Sequence, residues 1–176
     1  MKKTLAALAA VVVLLLTLVA CDPKQPENPT TNPNDTPATT ASGDAYTFKT
    51  AEGLAIPLGV RADAILAALG TPLKTRKEPS CAFEGEDKFY AYAGFEVSTY
   101  PDKGTDYFYT VSLRDDSVQT PEGVRIGSTL AEMETAYGKA ASAENDVYKY
   151  MKNSTTLSFA LTNNVVTQIT YEWGVG

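Results

Sequence analysis

The sequence predicts an α+β fold of two tandem repeats, each a short helix followed by a three-stranded antiparallel meander, with the helices packed on one face of the sheet. Three observations predict it. A pattern of apolar residue, glycine, ten residues and glycine occurs twice, from Ile56-Pro57-Leu58-Gly59 to Leu69-Gly70 and from Val124-Arg125-Ile126-Gly127 to Tyr137-Gly138, at an offset of 68. Apolar side chains recur at helical spacing inside each window. Three short alternating segments then follow each window in the same order, as expected of an internal repeat.

The chain begins with residues 1–20, a leader. Lys2 and Lys3 precede a nearly unbroken run of Leu, Ala and Val from Leu5 to Ala20. Its 16 residues fall short of the ~20 a helix needs to span a bilayer. A basic start, an apolar stretch and a small residue before the cleavage point read as a signal peptide. The closing Leu18-Val19-Ala20-Cys21 resembles the lipobox of bacterial lipoproteins. That resemblance implies cleavage before Cys21 and diacylglycerol on its sulfur, giving a membrane anchor. The expected location is extracytoplasmic: the outer face of the plasma membrane in a Gram-positive cell, the periplasmic face in a Gram-negative one. Residues 21–43 follow as a tether. Pro23, Pro26, Pro29, Pro33 and Pro37 punctuate it, and it has no Val, Ile, Leu or aromatic residue with which to build a core.

Composition narrows the function. The chain has 15 basic and 21 acidic residues. Losing Lys2 and Lys3 with the leader takes the net charge from −6 to about −8. Without a basic cluster, nucleic acid is not an expected partner. There is no histidine, which removes the usual neutral-pH general base and imidazole metal sites. With Cys21 consumed by lipid, Cys81 has no second cysteine in the chain. Cys81 reads as a small buried apolar residue, or alternatively as a reactive thiol. Its neighbours Glu78, Glu84 and Glu86 would disfavour a thiolate.

The first repeat spans residues 44–118 and the second 119–176. Ala62, Ile65, Leu66 and Leu69 form the apolar stripe of the first helix, and Leu130, Met133, Ala136 and Tyr137 that of the second. Thr129 and Glu132 have the spacing of a capping box. Gly70 and Gly138 stand where a left-handed cap would end each helix. Among the strands, Tyr90-Ala91-Tyr92 matches Tyr148-Lys149-Tyr150, Phe95-Glu96-Val97 matches Leu157-Ser158-Phe159, and Val111-Ser112-Leu113 matches Ile169-Thr170-Tyr171. The first repeat is longer around Cys81, where an extra short strand near Phe83 is expected, and at Pro101-Asp102-Lys103-Gly104. Units this small are marginal alone, so the two should share a core or a sheet.

Ile56-Pro57-Leu58-Gly59, a helix, and then Leu69-Gly70-Thr71-Pro72-Leu73 resemble the BamE (SmpA/OmlA) lipoproteins of outer-membrane assembly. The second window resembles the same pattern without Thr-Pro. A tandem of two such units resembles the beta-lactamase inhibitory proteins and related Firmicute lipoproteins. The matching residues form a turn, a helix and a cap, so the resemblance implies a fold more than an activity.

Aromatic residues crowd the strands of the first repeat. Tyr90 and Tyr92 alternate away from Phe89 and Ala91, and strict alternation puts Tyr107 and Tyr109 with Val111 and Leu113. These four tyrosines are the candidate partner-binding residues, since exposed tyrosines are effective anchors. Packing between the two repeats is the other reading. The acidic clusters Glu84, Glu86, Asp87 and Asp115, Asp116 lack the ligand order of a calcium loop. Asn153-Ser154-Thr155 reads as a hairpin turn. No catalytic constellation, metal site or cofactor motif stands out. The expected function is a lipid-anchored, non-enzymatic binding protein of the cell envelope, an adaptor or inhibitor acting on an envelope or extracellular protein. The alternative is a binder of peptide, glycan or small molecule in a groove between the repeats.

Overall fold

The computed structural model describes residues 45–174. The leader, Cys21 and the proline-rich tether lie outside them. In chain order the described part contains β1 (Phe48–Lys49), β2 (Ala55–Ile56), α1 (Asp63–Leu69), β3 (Lys74–Pro79), β4 (Glu86–Ala91), β5 (Phe95–Asp102) and β6 (Thr105–Leu113). After these come α2 (Leu130–Tyr137), β7 (Ser142–Glu144), β8 (Val147–Lys152), β9 (Thr155–Thr162) and β10 (Val165–Trp173). β1 and β2 form a small hairpin. The other strands make one eight-stranded sheet in the order β3-β4-β5-β6-β10-β9-β8-β7, antiparallel at each junction.

This architecture corrects the expected pair of helix-plus-three-strand repeats. The protein is mostly β, its helices have only seven and eight residues, and each is followed by four strands of a single sheet. The strands missing from the sequence reading are the short β1 and β2 and the two edges of the large sheet. β3 is exposed at all six positions and β7 at all three. A strand that buries neither face has no apolar alternation, and that alternation is the signal by which strands are read. The strand expected near Cys81 does not form: Cys81 to Gly85 make bends between β3 and β4. Cys81 is exposed there rather than buried.

Tight turns set the register. Lys103-Gly104, Asn145-Asp146 and Asn163-Asn164 have positive φ at both central positions, the geometry that suits the twist of a two-residue hairpin. One continuous row of side chains crosses the core face: Tyr90, Val97, Val111, Tyr171, Leu157 and Tyr150, paired strand to strand. Val97, Val111 and Leu157 are fully buried. Ile65, Leu66 and Leu69 of α1 and Leu130, Met133 and Tyr137 of α2 pack on this core. The Tyr92 and Tyr150 hydroxyls donate to the carbonyls of Gly70 and Gly138, the residues that end the two helices. Both helices therefore lie on the same face, and among the described residues neither helix packs on the other face.

The two halves share a hydrogen-bond frame. The amides of Gly59 and Gly127 donate to Phe108 and Val166, Phe108 and Val166 donate back to Val60 and Ser128, and Ala62 and Leu130 donate to Asp106 and Asn164. Earlier in each half, Thr50 and Thr120 close a turn in which their Oγ1 accepts from Leu54 N at 3.2 Å and Val124 N at 3.1 Å. Thr129 and Glu132 form the capping box of α2. Gly70 and Gly138 have φ of 76° and 74° with ψ of −155°. This is not the left-handed helical cap expected, but a region open essentially to glycine alone.

Candidate interaction surface

Strict alternation along β6 would place Tyr107 and Tyr109 beside Val111. A β-bulge overturns that expectation. Ser98 pairs with Thr110 and Thr99 with Phe108, leaving Tyr109 as the extra residue. The extra residue resets the alternation. Phe108 and Val111 both enter the core, while Tyr107 and Tyr109 emerge on the helix-free face. Tyr90 and Tyr92 lie on the helix side, packed against the core, and Tyr92 stacks on Phe95 at 5.2 Å between centroids. The four candidate tyrosines thus divide between two faces.

On the helix-free face Tyr107 and Tyr109 join residues the sequence did not single out. Tyr100 stacks on Tyr107 at 5.7 Å and meets Tyr109 edge-on at 6.1 Å. Phe83, from the loop before β4, stacks on Tyr100 at 4.8 Å. Beside this cluster the Arg76 guanidinium lies 3.8 Å over the Phe89 ring. Arg76 also pairs with Glu78 and, at 3.7 Å, with Glu96; Arg114 meets the same Glu96 oxygen at 2.6 Å. Ser98 and Thr110 share a hydrogen bond of 2.6 Å on the same face. Phe83, expected in a short strand, sits instead in a loop, and Arg76 gave no periodic signal because it lies on the edge strand. Their spacing from the tyrosines is set by sheet order, not by sequence.

Electrostatics favour the neutral phenol at Tyr109 and Tyr100. Tyr109 donates to Glu172 Oε1 at 2.8 Å. Burial, that hydrogen bond and the charges of Glu172 and Asp87 push its pKa up to about 12. Burial and the Asp102 carboxylate raise Tyr100 as well. The cluster therefore offers half-buried aromatic rings with hydrogen-bonding hydroxyls, flanked by an arginine. Such a chemistry suits protein contact.

The remaining sequence candidates resolve locally. Asp115 accepts from the backbone and hydroxyl of Ser117, which holds its carboxyl below the usual range and makes a turn after β6. Asn153 and Ser154 form the β8–β9 turn. Among the described residues no cluster of acidic or cysteine side chains could hold a metal ion, and no helix is long and apolar enough to cross a membrane. Comparison with known protein families, curated proteins and solved structures finds no match.

Proposed function

We propose that this chain is a lipid-anchored, extracytoplasmic binding protein that engages another envelope or extracellular protein through the helix-free face of its sheet. It acts by binding rather than catalysis, as an adaptor or inhibitor. The observation that carries the reading is the cluster of Phe83, Tyr100, Tyr107 and Tyr109 beside the Arg76–Phe89 pair on a face that neither α1 nor α2 covers. Tyrosine and arginine are the residues most often found to dominate interface energy, and neighbouring polar groups complete such a contact. The lipobox ending at Cys21 supports the location.

In-cell crosslinking followed by mass spectrometry tests it. A single recurrent envelope protein should be captured by the native chain and lost with Tyr107→Ala/Tyr109→Ala. Tyr90→Ala/Tyr92→Ala, altered on the opposite face, should retain it if the fold survives by circular dichroism. Loss with the second pair but not the first would place the contact on the helix side and refute the assignment.

A further inference from the structure

The helix side contains a second feature that this reading does not use. In the second half, Tyr137 ends α2 and turns its ring into a seat between the helix and the Thr120–Val124 turn. It lies 5.3 Å from the Tyr150 ring and 5.2 Å from the Phe159 ring, centroid to centroid, and its hydroxyl donates to the Glu122 carboxylate. The turn and the Tyr150 position of this seat are repeated in the first half, while Val97 stands where the second half has Phe159. Thr50-Ala51-Glu52-Gly53-Leu54 corresponds to Thr120-Pro121-Glu122-Gly123-Val124 at a constant offset. The backbone of the two turns matches bond for bond. Tyr92 corresponds to Tyr150 and makes the same hydrogen bond to its helix-ending glycine.

The occupant differs. Leu69 stands where the second half has Tyr137, and it reaches neither as far nor with a hydroxyl. In its place is an open groove of about 540 Å³, whose lining includes Thr50, Glu52, Leu54, Leu69, Tyr92 and Phe95. Glu122 holds a phenol; Glu52, its counterpart, is exposed at the rim of the groove with no hydrogen bond or ion pair among the described residues. We infer that this groove is a binding site for a tyrosine side chain presented by a partner polypeptide, the ring lying along Leu69 and Tyr92 and the hydroxyl donating to Glu52. The second half shows the bound arrangement, with the ligand built into the chain. The groove has room for the ring and the backbone that carries it. This site is separate from the helix-free face and does not depend on it.

The test titrates N-acetyl-L-tyrosinamide and N-acetyl-L-phenylalaninamide into the full chain in detergent micelles and follows the methyl resonances of Leu54 and Leu69. Saturable shifts at these methyls are expected, with the tyrosine amide binding roughly tenfold more tightly because a hydrogen bond to a carboxylate is among the stronger ones. Glu52→Gln should shrink that preference. Leu69→Tyr should fill the groove from within and abolish the shifts, while Met133 resonances in the other half stay in place as evidence of a native fold. Tyr107→Ala/Tyr109→Ala should leave the titration unchanged. Absence of saturable shifts, equal affinity for the two amides, or undiminished binding by a folded Leu69→Tyr protein would each overturn the assignment.

Discussion

In the second half, α2 opens on a capping box and buries Met133 completely. In the first, α1 opens at Ala62, whose side chain caps nothing, and none of its seven residues is buried. Yet the same three backbone hydrogen bonds dock both helices to their strands. The frame is thus fixed by backbone pairing and can tolerate different contents. The second half has used that freedom to fill its interior with Met133 and Tyr137. The first has left a groove on the helix side and, on the opposite face, has gathered aromatic rings where the second half has Thr162, Val165 and Thr167. Those three residues occupy the sheet positions of Tyr100, Tyr107 and Tyr109, and the β9–β10 bulge falls at Thr167 as the β5–β6 bulge falls at Tyr109.

The largest contrast should come from the helix interiors. Met133→Ala removes a fully buried side chain and is expected to cost about 2–5 kcal/mol. The equivalent Ile65→Ala, at a half-buried position, should cost only about 1–2 kcal/mol. Urea denaturation of both variants measures this, and equal losses would show that α1 is docked as firmly as α2.

A second contrast lies at the glycines before the helices. Gly59 has φ of 72°, and a Cβ there would sit 2.6 Å from Trp173 Cδ2; Gly127 has φ of 94° with nothing within 4 Å of that position. Alanine at Gly127 meets only backbone strain, about 1–2 kcal/mol. Alanine at Gly59 must also displace the indole, and should cost about 1–3 kcal/mol more. Thermal unfolding with Trp173 fluorescence reads both at once, because only the Gly59 change should alter the emission.

Much of this frame was legible in the sequence, and the reasons for the rest are specific. The helices were readable from Ala62 to Leu69 and Leu130 to Tyr137 because their apolar residues recur at helical spacing, and the capping box because Thr129 and Glu132 have few alternative roles. The central strands alternate and were readable; the edge strands β3 and β7 do not alternate and were not. The split of the tyrosines was hidden by one extra residue, since a bulge leaves no mark on the sequence and reverses every face beyond it. The turn built on Thr50, Glu52 and Gly53 was legible in principle. Its twin at Thr120, Glu122 and Gly123 begins ahead of the longer repeat, with a small change of offset between them.

Capping offers a finer contrast. Thr129→Ala should cost about 1 kcal/mol, seen as faster amide exchange in the first turn of α2. α1, which has no side-chain cap to lose, should already exchange faster than α2 in the native protein. Similar protection in the two helices would mean that the cap contributes little.

The smallest effect is confined to alkaline solution. Folding raises Tyr109 from 10 to about 12 and raises the half-buried Tyr137 and the buried Tyr171 in the same direction. A group whose pKa is higher when folded contributes its full stability below the unfolded value and loses it as pH rises through the folded value. Stability should therefore hold up to about pH 10 and fall above it. Tyr109→Phe should flatten the part of the fall between 10 and about 12. Denaturation midpoints along a pH series, read with tyrosinate absorbance, provide the check.

The two edges of the sheet have a consequence for the membrane anchoring proposed above. Molecules fixed by one end to a surface meet at high effective concentration, and an open sheet is then a template on which a neighbour's strand can add. Here one edge presents Lys74, Arg76 and Lys77 and closes on Pro79, and the other offers three residues. A copy approaching the first edge must desolvate those charged side chains and their ion pairs with Glu78, Glu86 and Glu96, and the second gives too few hydrogen bonds to hold a strand. A population crowded by the proposed anchors can then stay as separate molecules, with its sheet faces left open.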